Sequence, residues 1–443
     1  MSTFAKFVRQ LHESVPAAIA RRSSSGSSSS SSSSNSSYEM PNLCLVLGNE
    51  AADLDSLVGS LTYAAHLAGV FNNGSPGAET TTVLPLTNIP RADFTLRPEC
   101  IHVLKSVGLS AESLLFLDDI VPFDQLARIY NLAENSNTHL EVCLVDHNNL
   151  AVNQQPHLSQ FVSGIVDHHF DESQYLDRAF GPQKRIIEPV GSSTSLVLRE
   201  IMKSGGQVDK VAARLMIETI MLDTMNLDPN AKRATQVDID MVQVLKTILF
   251  TDDQNPDSPA TVDSNGYKAN LVKMYNATLA ARNDISHLSN ADLLRKDYKM
   301  WEVPDWGHVG ISSVTMSLED WLARGSSSPH TMNVIVSDLV ARMESEKLRT
   351  NALMTSGVPA NDSVFKRSLT LLFNKADAAL AGEAISKLES NPDLDLERIP
   401  FDDSKHTQHI VRVYNQRNTT ATRKKVFPAL REALIASVSS NKS

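Results

Sequence analysis

Cysteine is scarce. Cys44, Cys100 and Cys143 are the only three in 443 residues, and they are scattered. Two of them lie inside apolar, strand-like runs, so all three read as small core residues in a reducing compartment, not as a disulfide framework. Long apolar runs are missing as well. None approaches the ~20 residues that a membrane-spanning helix needs, which predicts a soluble protein without a membrane partner. Positive charge is also short, with 41 Lys and Arg against 51 Asp and Glu and a net charge of −10. That balance excludes a general nucleic-acid binder. It leaves a polyanionic substrate open, because the local field decides such binding. Length is not scarce: 443 residues with 42% apolar content exceed one ordinary domain and can fill two cores.

Two short triplets organise the rest of the chain. Val142-Cys143-Leu144-Val145 runs into Asp146-His147-Asn148, and Gly164-Ile165-Val166 runs into Asp167-His168-His169. The apolar runs read as buried strands of a parallel sheet. Acids and imidazoles that follow such strands sit at their carboxyl ends, where open α/β sheets bind ligands. One Asp-His pair in that position would more often be a turn with a solvated histidine. Two pairs after consecutive strands point to metal binding.

The first 22 residues place Phe4, Phe7, Val8 and Leu11 on a helical period, with Lys6, Arg9, Arg21 and Arg22 against the single acid Glu13. The pattern resembles a mitochondrial presequence, but a frayed surface helix explains it more simply. Ser23 to Ser37, interrupted only by Gly26 and Asn35, has nothing to bury and is expected to be disordered. The folded part then begins near Met40. Leu43–Leu47 reads as a strand ended by Gly48, followed by Asn49, Asp53 and Asp55 and a helical face from Leu54 to Leu67. Asp53 could simply cap that helix; with Asp55 and Asn49 it also suits an oxygen-rich metal site. Thr81–Leu86 and Leu114–Leu117 are further strand candidates, and Asp118-Asp119 after the second reads as a turn.

Beyond the triplets, Gly191-Ser192-Ser193-Thr194-Ser195 opens a helix and offers a cap and unpaired backbone N–H groups. A helix over Val208–Met221 delivers Asp223 near its end, where a lone acid is ordinarily solvated. The polar, turn-rich stretch from Thr251 to Gly266 is the best interdomain linker. After it, Lys268–Arg282 and Ser289–Arg295 read as helices. His308–Val314, Thr331–Val336, Leu369–Phe373 and His409–Tyr414 read as strands, with helices over Ala376–Leu388 and Pro428–Ala436. From Ser404 to Arg431 there is no acid, while Lys405, Arg412, Arg417, Arg423, Lys424, Lys425 and Arg431 are basic. In an acidic chain that bias favours an anion site.

Gathered in space, Asp53, Asp55, Asp146, His168 and Asp223, with Asn49, would form a site of hard oxygen donors plus imidazole. The set suits Mg²⁺ or Mn²⁺ better than thiolate-loving ions. Four carboxylates repel one another severely without cations, so two divalent ions are the natural complement. Paired ions roughly 3.5–4 Å apart activate water and clamp an in-line phosphoryl displacement. Together with the basic tail, this points to hydrolysis of a phosphate ester or anhydride.

These motifs, Gly48-Asn49-Glu50-Ala51-Ala52-Asp53-Leu54-Asp55-Ser56, Asp146-His147-Asn148, Asp167-His168-His169 and Asp223, resemble the four motifs of the DHH phosphoesterase superfamily. Asp297-Tyr298-Lys299 and Thr422-Arg423-Lys424-Lys425 resemble the second domain of its pyrophosphatase, exopolyphosphatase and prune branch. The resemblance spans Met40 to about Val438. Family II pyrophosphatases carry His where this chain has Asn49, a departure that points toward the eukaryotic cytosolic exopolyphosphatase pattern. No Gly-Gly-Gly-His motif of the nuclease branch appears near the C-terminus.

The resemblance implies that Asp53 and Asp146 hold one ion, with Asn49 as a weaker or water-mediated ligand. Asp55, Asp146, His168 and Asp223 would hold the other, with Asp146 bridging. Asp167 would orient a histidine, His169 would face the substrate phosphate as donor or general acid, and His147 would support the catalytic group from behind. Lys299, Arg423 and Lys424 would grip phosphates, with Arg295, Lys296 and Lys425 along a longer anionic path. The expected fold is α/β. Residues 40–250 would form a mainly parallel sheet flanked by helices and 251–266 a linker. Residues 267–443 would form a smaller α/β domain of the DHHA2 type, with the active site in the cleft between the two domains. The implied protein is a monomeric exopolyphosphatase acting on inorganic polyphosphate with two divalent ions, Mg²⁺ or Mn²⁺, with Co²⁺ a third candidate. It would be cytoplasmic, with room for a mitochondrial pool. Pyrophosphate, nucleoside tetraphosphates or cyclic nucleotides are alternative substrates, and a non-catalytic prune-like interaction protein is an alternative of another class.

Overall fold

A computed structural model describes residues 2–21, 41–72, 80–132, 138–178, 180, 184–250, 264–286, 288–324, 331–402 and 404–442. The serine tract Ser23–Ser37 and most of the expected linker lie outside these residues. The chain divides into two units, Met1–Asp284 and Ile285–Ser443.

In the first unit, β1 (Asn42–Leu47), β2 (Thr81–Leu86), β3 (Leu140–Val145), β4 (Val162–Asp167) and β5 (Arg185–Ile187) form one sheet in the order β2-β1-β3-β4-β5. Every pairing is parallel, so all five carboxyl ends lie along one edge. Leu43 to Leu47 are completely buried, as both faces of a parallel sheet require. The helix Leu54–Asn72 packs so closely that a side chain at Gly59 would come within 2.9 Å of Val145 Cγ1. The chain leaves β1 for β2 on one side and enters β3 on the other. The strand order therefore reverses between β1 and β3, which is where such sheets open a ligand crevice.

The second unit holds β6 (Tyr298–Val303), β7 (Gly307–Val314), β8 (Thr350–Gly357), β9 (Lys366–Asn374), β10 (Leu396–Ile399) and β11 (His409–Gln416), in the order β10-β11-β9-β8-β7-β6. Only β7 and β8 pair in parallel. Their crossover carries the helices Leu318–Ala323 and Met332–Ser345. Trp306, Phe373, Tyr414 and Leu430 are buried in the core of this unit. No helix among the described residues is long and apolar enough to cross a membrane.

Several expectations change. The N-terminus is not a frayed surface helix. Thr3–Arg9 and Leu11–Ser14 are helical, and Phe4, Val8, Leu11 and Ile19 belong to the first unit's core. Asp209 pins them there, with Oδ2 accepting from the Phe4 N–H (2.9 Å) and the Ser2 hydroxyl (2.5 Å). Thr331–Val336 is not a strand. It lies at the start of helix Met332–Ser345, whose buried residues Ile335, Val336, Leu339 and Met343 follow a helical period. Leu114–Leu117 forms only a single bridge, Thr87 to Phe116, and Leu117–Asp119 is a 3₁₀ turn. The first unit also extends past the expected boundary: in helix Ser264–Asn283, Leu271 joins its core and the Thr278 hydroxyl donates to Glu218 (2.7 Å).

Candidate metal centre

The ends of β1, β3 and β4 present the three motifs side by side. Asp146 leaves β3 in a left-handed conformation, φ 64°, which Asp and Asn tolerate better than most residues. Ala52, in the loop after β1, is also left-handed at φ 46°. The buried Arg97 secures that loop by donating from Nε to the Ala51 carbonyl.

Asp146 is buried and its two oxygens have different surroundings. Oδ2 accepts from the Ser56 hydroxyl (2.6 Å) and from Asn49 Nδ2 (2.7 Å). Oδ1 has no hydrogen-bond partner among the described residues and faces His168 Nε2 at 3.3 Å and His169 Nδ1 at 3.7 Å. His168 Nδ1 lies 3.0 Å from the Val190 carbonyl, so it carries the proton and Nε2 is aimed at the carboxylates. Asp55 Oδ2 lies 3.9 Å from the same Nε2.

Asp55 is held by the start of helix Ser193–Lys203. Its oxygens accept from the Ser192 hydroxyl (2.7 Å), the Thr194 hydroxyl (2.6 Å) and the Ser193 and Thr194 N–H groups (2.7 and 2.8 Å). Asp223 ends helix Lys210–Asp223 and keeps a buried Oδ2 without a hydrogen-bond partner among the described residues. Asp53 caps helix Leu54–Asn72, its Oδ1 accepting from the Ser56 N–H (3.1 Å).

The sequence reading has Asp167 orienting a histidine, and this pair is present. His169 Nδ1 donates to Asp167 Oδ1 at 2.8 Å, and the His168 and His169 N–H groups reach the same oxygen. His147 Nδ1 lies 3.0 Å from the Val145 carbonyl.

The electrostatics are those of a site built around a cation. Surrounding protein, Asp146 and Asp55 push the Asp53 carboxyl up, and burial and neighbouring acids do the same to Asp55 and Asp223. Burial works to lower His168, but Asp146, Asp55 and Asp223 prevail and lift it to about 10. Burial works to raise Asp146 and Asp167, but the facing imidazoles hold both below the usual range. The orphaned Oδ1 of Asp146, the orphaned Oδ2 of Asp223 and the anchored His168 ring fit a divalent ion. Among the described residues, Asp146, His168 and His169 bring ligand atoms within 4.8 Å of one another. His169 reaches that cluster while its Nδ1 is engaged by Asp167, which leaves the ring suited to proton transfer.

A pH dependence follows. Asp53, Asp55, Asp223 and His168 bind protons more tightly folded than unfolded. Their contribution to stability is therefore present at low pH and lost as pH rises, from about 4 upward for the acids and from about 6.5 up to about 10 for His168. Asp146 and Asp167 act oppositely, but only in acid below about pH 4. The melting temperature of metal-stripped protein is expected to fall between about pH 5 and about pH 9. Added Mn²⁺ should raise it more at about pH 8 than at about pH 5. A flat profile with a pH-independent Mn²⁺ effect would refute this account.

Some supporting residues escape a sequence reading. Asn148 bridges Asp167 Oδ2 and the Phe170 carbonyl, and so fixes the second triplet against the first. Asp238 is fully buried and gathers Gly191 N–H (2.8 Å), Ser195 hydroxyl (2.7 Å) and Thr235 N–H (2.7 Å), which shapes the loop that holds Asp55. The hydroxyl run Ser192–Ser195 signals a helix start, but nothing in the sequence signals that Asp55, 137 residues earlier, is its capping partner.

In the second unit, Arg423 donates to the Asp297 carbonyl (3.0 Å) and to Asp297 Oδ1 (2.7 Å). Trp301 on β6 stacks on Phe427 with ring centroids 4.0 Å apart, fastening helix Arg423–Lys442 to that edge strand. Lys299 on β6 and Lys424 have no ion pair among the described residues.

The DHHA2 domain profile matches residues 276–433. "Exopolyphosphatase PRUNE1" of Homo sapiens is 29% identical over 396 residues, covering 89% of this chain and 76% of the human one. The "Putative exopolyphosphatase" of Schizosaccharomyces pombe is also 29% identical, over 410 residues, covering 89% and 91%. The chain carries a DHHA2 domain and is homologous over nearly its full length to these exopolyphosphatases. The "Probable manganese-dependent inorganic pyrophosphatase" of Deinococcus radiodurans is 26% identical over 283 residues, covering 61% of this chain and 70% of that one. The chain is a relative of both enzyme groups, and Asp146, His168 and His169 form a candidate metal site.

Proposed function

We propose that this protein is a metal-dependent exopolyphosphatase that releases orthophosphate from the end of linear polyphosphate. The observation that carries the reading is the orphaned Asp146 Oδ1, buried and facing the anchored His168 ring beside Asp55 and Asp223. A protein without this chemistry has no reason to keep such mutually repelling groups together, which counts against a purely non-catalytic interaction protein.

Asp55, Asp146, His168 and Asp223 would hold a divalent ion, Mg²⁺, Mn²⁺ or Co²⁺, with Asp53 and Asn49 on the side of a second. When bound, such an ion lowers the pKa of water and polarises the phosphoryl group. His169, steadied through Nδ1 by Asp167, can present its other nitrogen as proton donor to the departing phosphate. Asn148 keeps Asp167 in place for that task. Lys299, Lys424 and Arg423 of the second unit would grip the anionic chain.

Arg423 is engaged by Asp297, so its role has a structural share. Arg423→Lys is expected to lower the stability of the second unit by about 1–2 kcal/mol through loss of the paired, charge-assisted bonds, and to reduce polyphosphate turnover. Parallel urea melts and turnover assays check it. Wild-type values in both would make the arginine a plain surface group.

The deciding experiment measures phosphate release from long polyphosphate, tripolyphosphate, pyrophosphate and cyclic AMP, each with Mg²⁺, Mn²⁺ and Co²⁺. Preference for the polyphosphates supports the proposal. Preference for pyrophosphate or cyclic AMP would transfer it to a pyrophosphatase or a prune-like phosphodiesterase, and release from none would reject it.

A further inference from the structure

Several arginines of the second unit face a carboxylate. Arg349 donates to Asp377 (2.6 and 3.0 Å), Arg417 to Glu397 (2.5 Å), Arg423 to Asp297 (2.7 Å) and Arg295 to Asp292 (2.6 Å). Lys366 on β9 has two acids, Glu319 at 2.9 Å and Asp362 at 3.1 Å. The next residue, Arg367, is half-buried and has no acid partner among the described residues. Its Nε donates to the Thr419 carbonyl (2.6 Å), and its Cζ lies 5.3 Å from the Phe365 ring centroid. Burial lowers its pKa, and no acid stands close enough to oppose the shift. Both Nη nitrogens are left without a partner among the described residues, on a plane that Thr419 and Phe365 already fix. Arg324 also lacks an acid, but its Nη2 serves the carbonyls of Ile285 (3.0 Å) and Leu288 (2.8 Å). A guanidinium that is half desolvated and unpaired is relieved by an arriving anion.

The sheet places Arg367 in line with the residues expected to hold phosphate. Along β9, Arg367 shares a face with Leu369 and Leu371. The register Leu371–Ala352–Ile311–Lys299 carries that face across β8 and β7 to β6, so Lys299 and Arg367 stand on the same side of one sheet. Thr419, which accepts from Arg367, opens the turn that leads into helix Arg423–Lys442. Arg423 in turn holds Asp297, the residue before β6. From β6 to β9 there are three strand spacings, about 14 Å. Pyrophosphate and tripolyphosphate are too short to bridge that distance, and a long chain is not.

We propose that Arg367 is a distal subsite for polyphosphate, gripping the chain well behind its reacting end and so favouring long chains over short ones. Its two Nη nitrogens can hold one phosphate in a bidentate way, which a lysine cannot reproduce. Ser356, its direct partner across the β8–β9 ladder, offers a hydroxyl on the same face. Lys299, Arg423 and Lys424 stay with the reacting end. The inference rests on the polyphosphate reading above and deepens it from reaction to chain length.

The test uses the full chain in two arms. Calorimetry on metal-stripped protein reads the binding of long linear polyphosphate and of tripolyphosphate, and turnover with Mn²⁺ reads KM and kcat for both. The wild type is expected to bind the long chain at least about tenfold more tightly, the scale of one charge-assisted contact. Arg367→Gln removes the charge but can still donate to the Thr419 carbonyl. It should weaken long-chain binding and raise the long-chain KM by about tenfold, with kcat and the tripolyphosphate constants as in the wild type. Arg367→Lys keeps the charge without the planar fork and should fall between the two, which repeats the test in a milder variant. An equal loss for both ligands would overturn the subsite, because it would mark Arg367 as a mere support for the turn before Arg423. Unchanged long-chain constants in Arg367→Gln would overturn it too, as would a wild type that binds the long chain no more tightly than tripolyphosphate. The expected binding pattern without phosphate release would reject the exopolyphosphatase reading and leave the subsite standing.

Discussion

Asp146→Asn is expected to abolish phosphate release, by on the order of 10³-fold or more, while the fold survives. The rate loss is the several kcal/mol of charge stabilisation that a metal site supplies, at 1.36 kcal/mol per tenfold. The fold should survive because Asn tolerates the left-handed backbone at this position, φ 64°. Its amide oxygen can take over the bonds from Ser56 and Asn49. Its NH₂ would then face His168 Nε2, which in the uncharged ring can accept. Ala here would lose all of this and confuse a missing ligand with a damaged loop. Turnover, a thermal melt and Mn²⁺ titration on one preparation separate the two effects. Activity within a few-fold of wild type would remove Asp146 from the centre.

The second large effect lies far from the chemistry. Deleting residues 1–21 is expected to cost most of the stability of the first unit. Phe4, Val8, Leu11 and Ile19 are at most 5% exposed, and burial of each such side chain is worth about 1.5–3 kcal/mol. Their sum, about 6–12 kcal/mol as an upper bound, is of the order of a whole domain's stability. Val8→Asp tests the same contact without shortening the chain, since it places an unpaired carboxylate at a fully buried position. Urea melts of both variants check the expectation. A deletion variant that melts like the full chain would show that the helix is dispensable.

What the sequence made legible, and what it did not, has a physical pattern. The strand ends at Asn49, Asp146 and Asp167 could be read because apolar β-branched runs and the polar residues after them are local signals. The amphipathic period of Phe4, Val8 and Leu11 was also visible, but periodicity does not say which surface receives an apolar face; here it is the body of the unit, through Asp209. Val334-Ile335-Val336 fits a strand as well as one turn of a helix, and only Leu339 and Met343 further along decide it. Strand β8, Thr350–Gly357, hides behind a polar composition, because Thr350, Asn351 and Thr355 are buried without being apolar. Partners distant in sequence are the least legible. The capping of Asp55 by Ser192 and Thr194, and the gathering of that loop by Asp238, depend on folding alone.

Asp209 also has a mechanical consequence. Its carboxylate caps the helix Lys210–Asp223 through the Val211 and Ala212 N–H groups (3.0 and 3.1 Å) while gripping Ser2 and Phe4. At the far end of the same helix stands Asp223. Fourteen residues at 1.5 Å each make a strut of about 20 Å, clad along its length by buried Leu215, Met216, Ile217 and Ile220. Close-packed interiors transmit displacement with little loss. The grip on Ser2 and Phe4 and the carboxylate of Asp223 therefore stand at opposite ends of one packed strut.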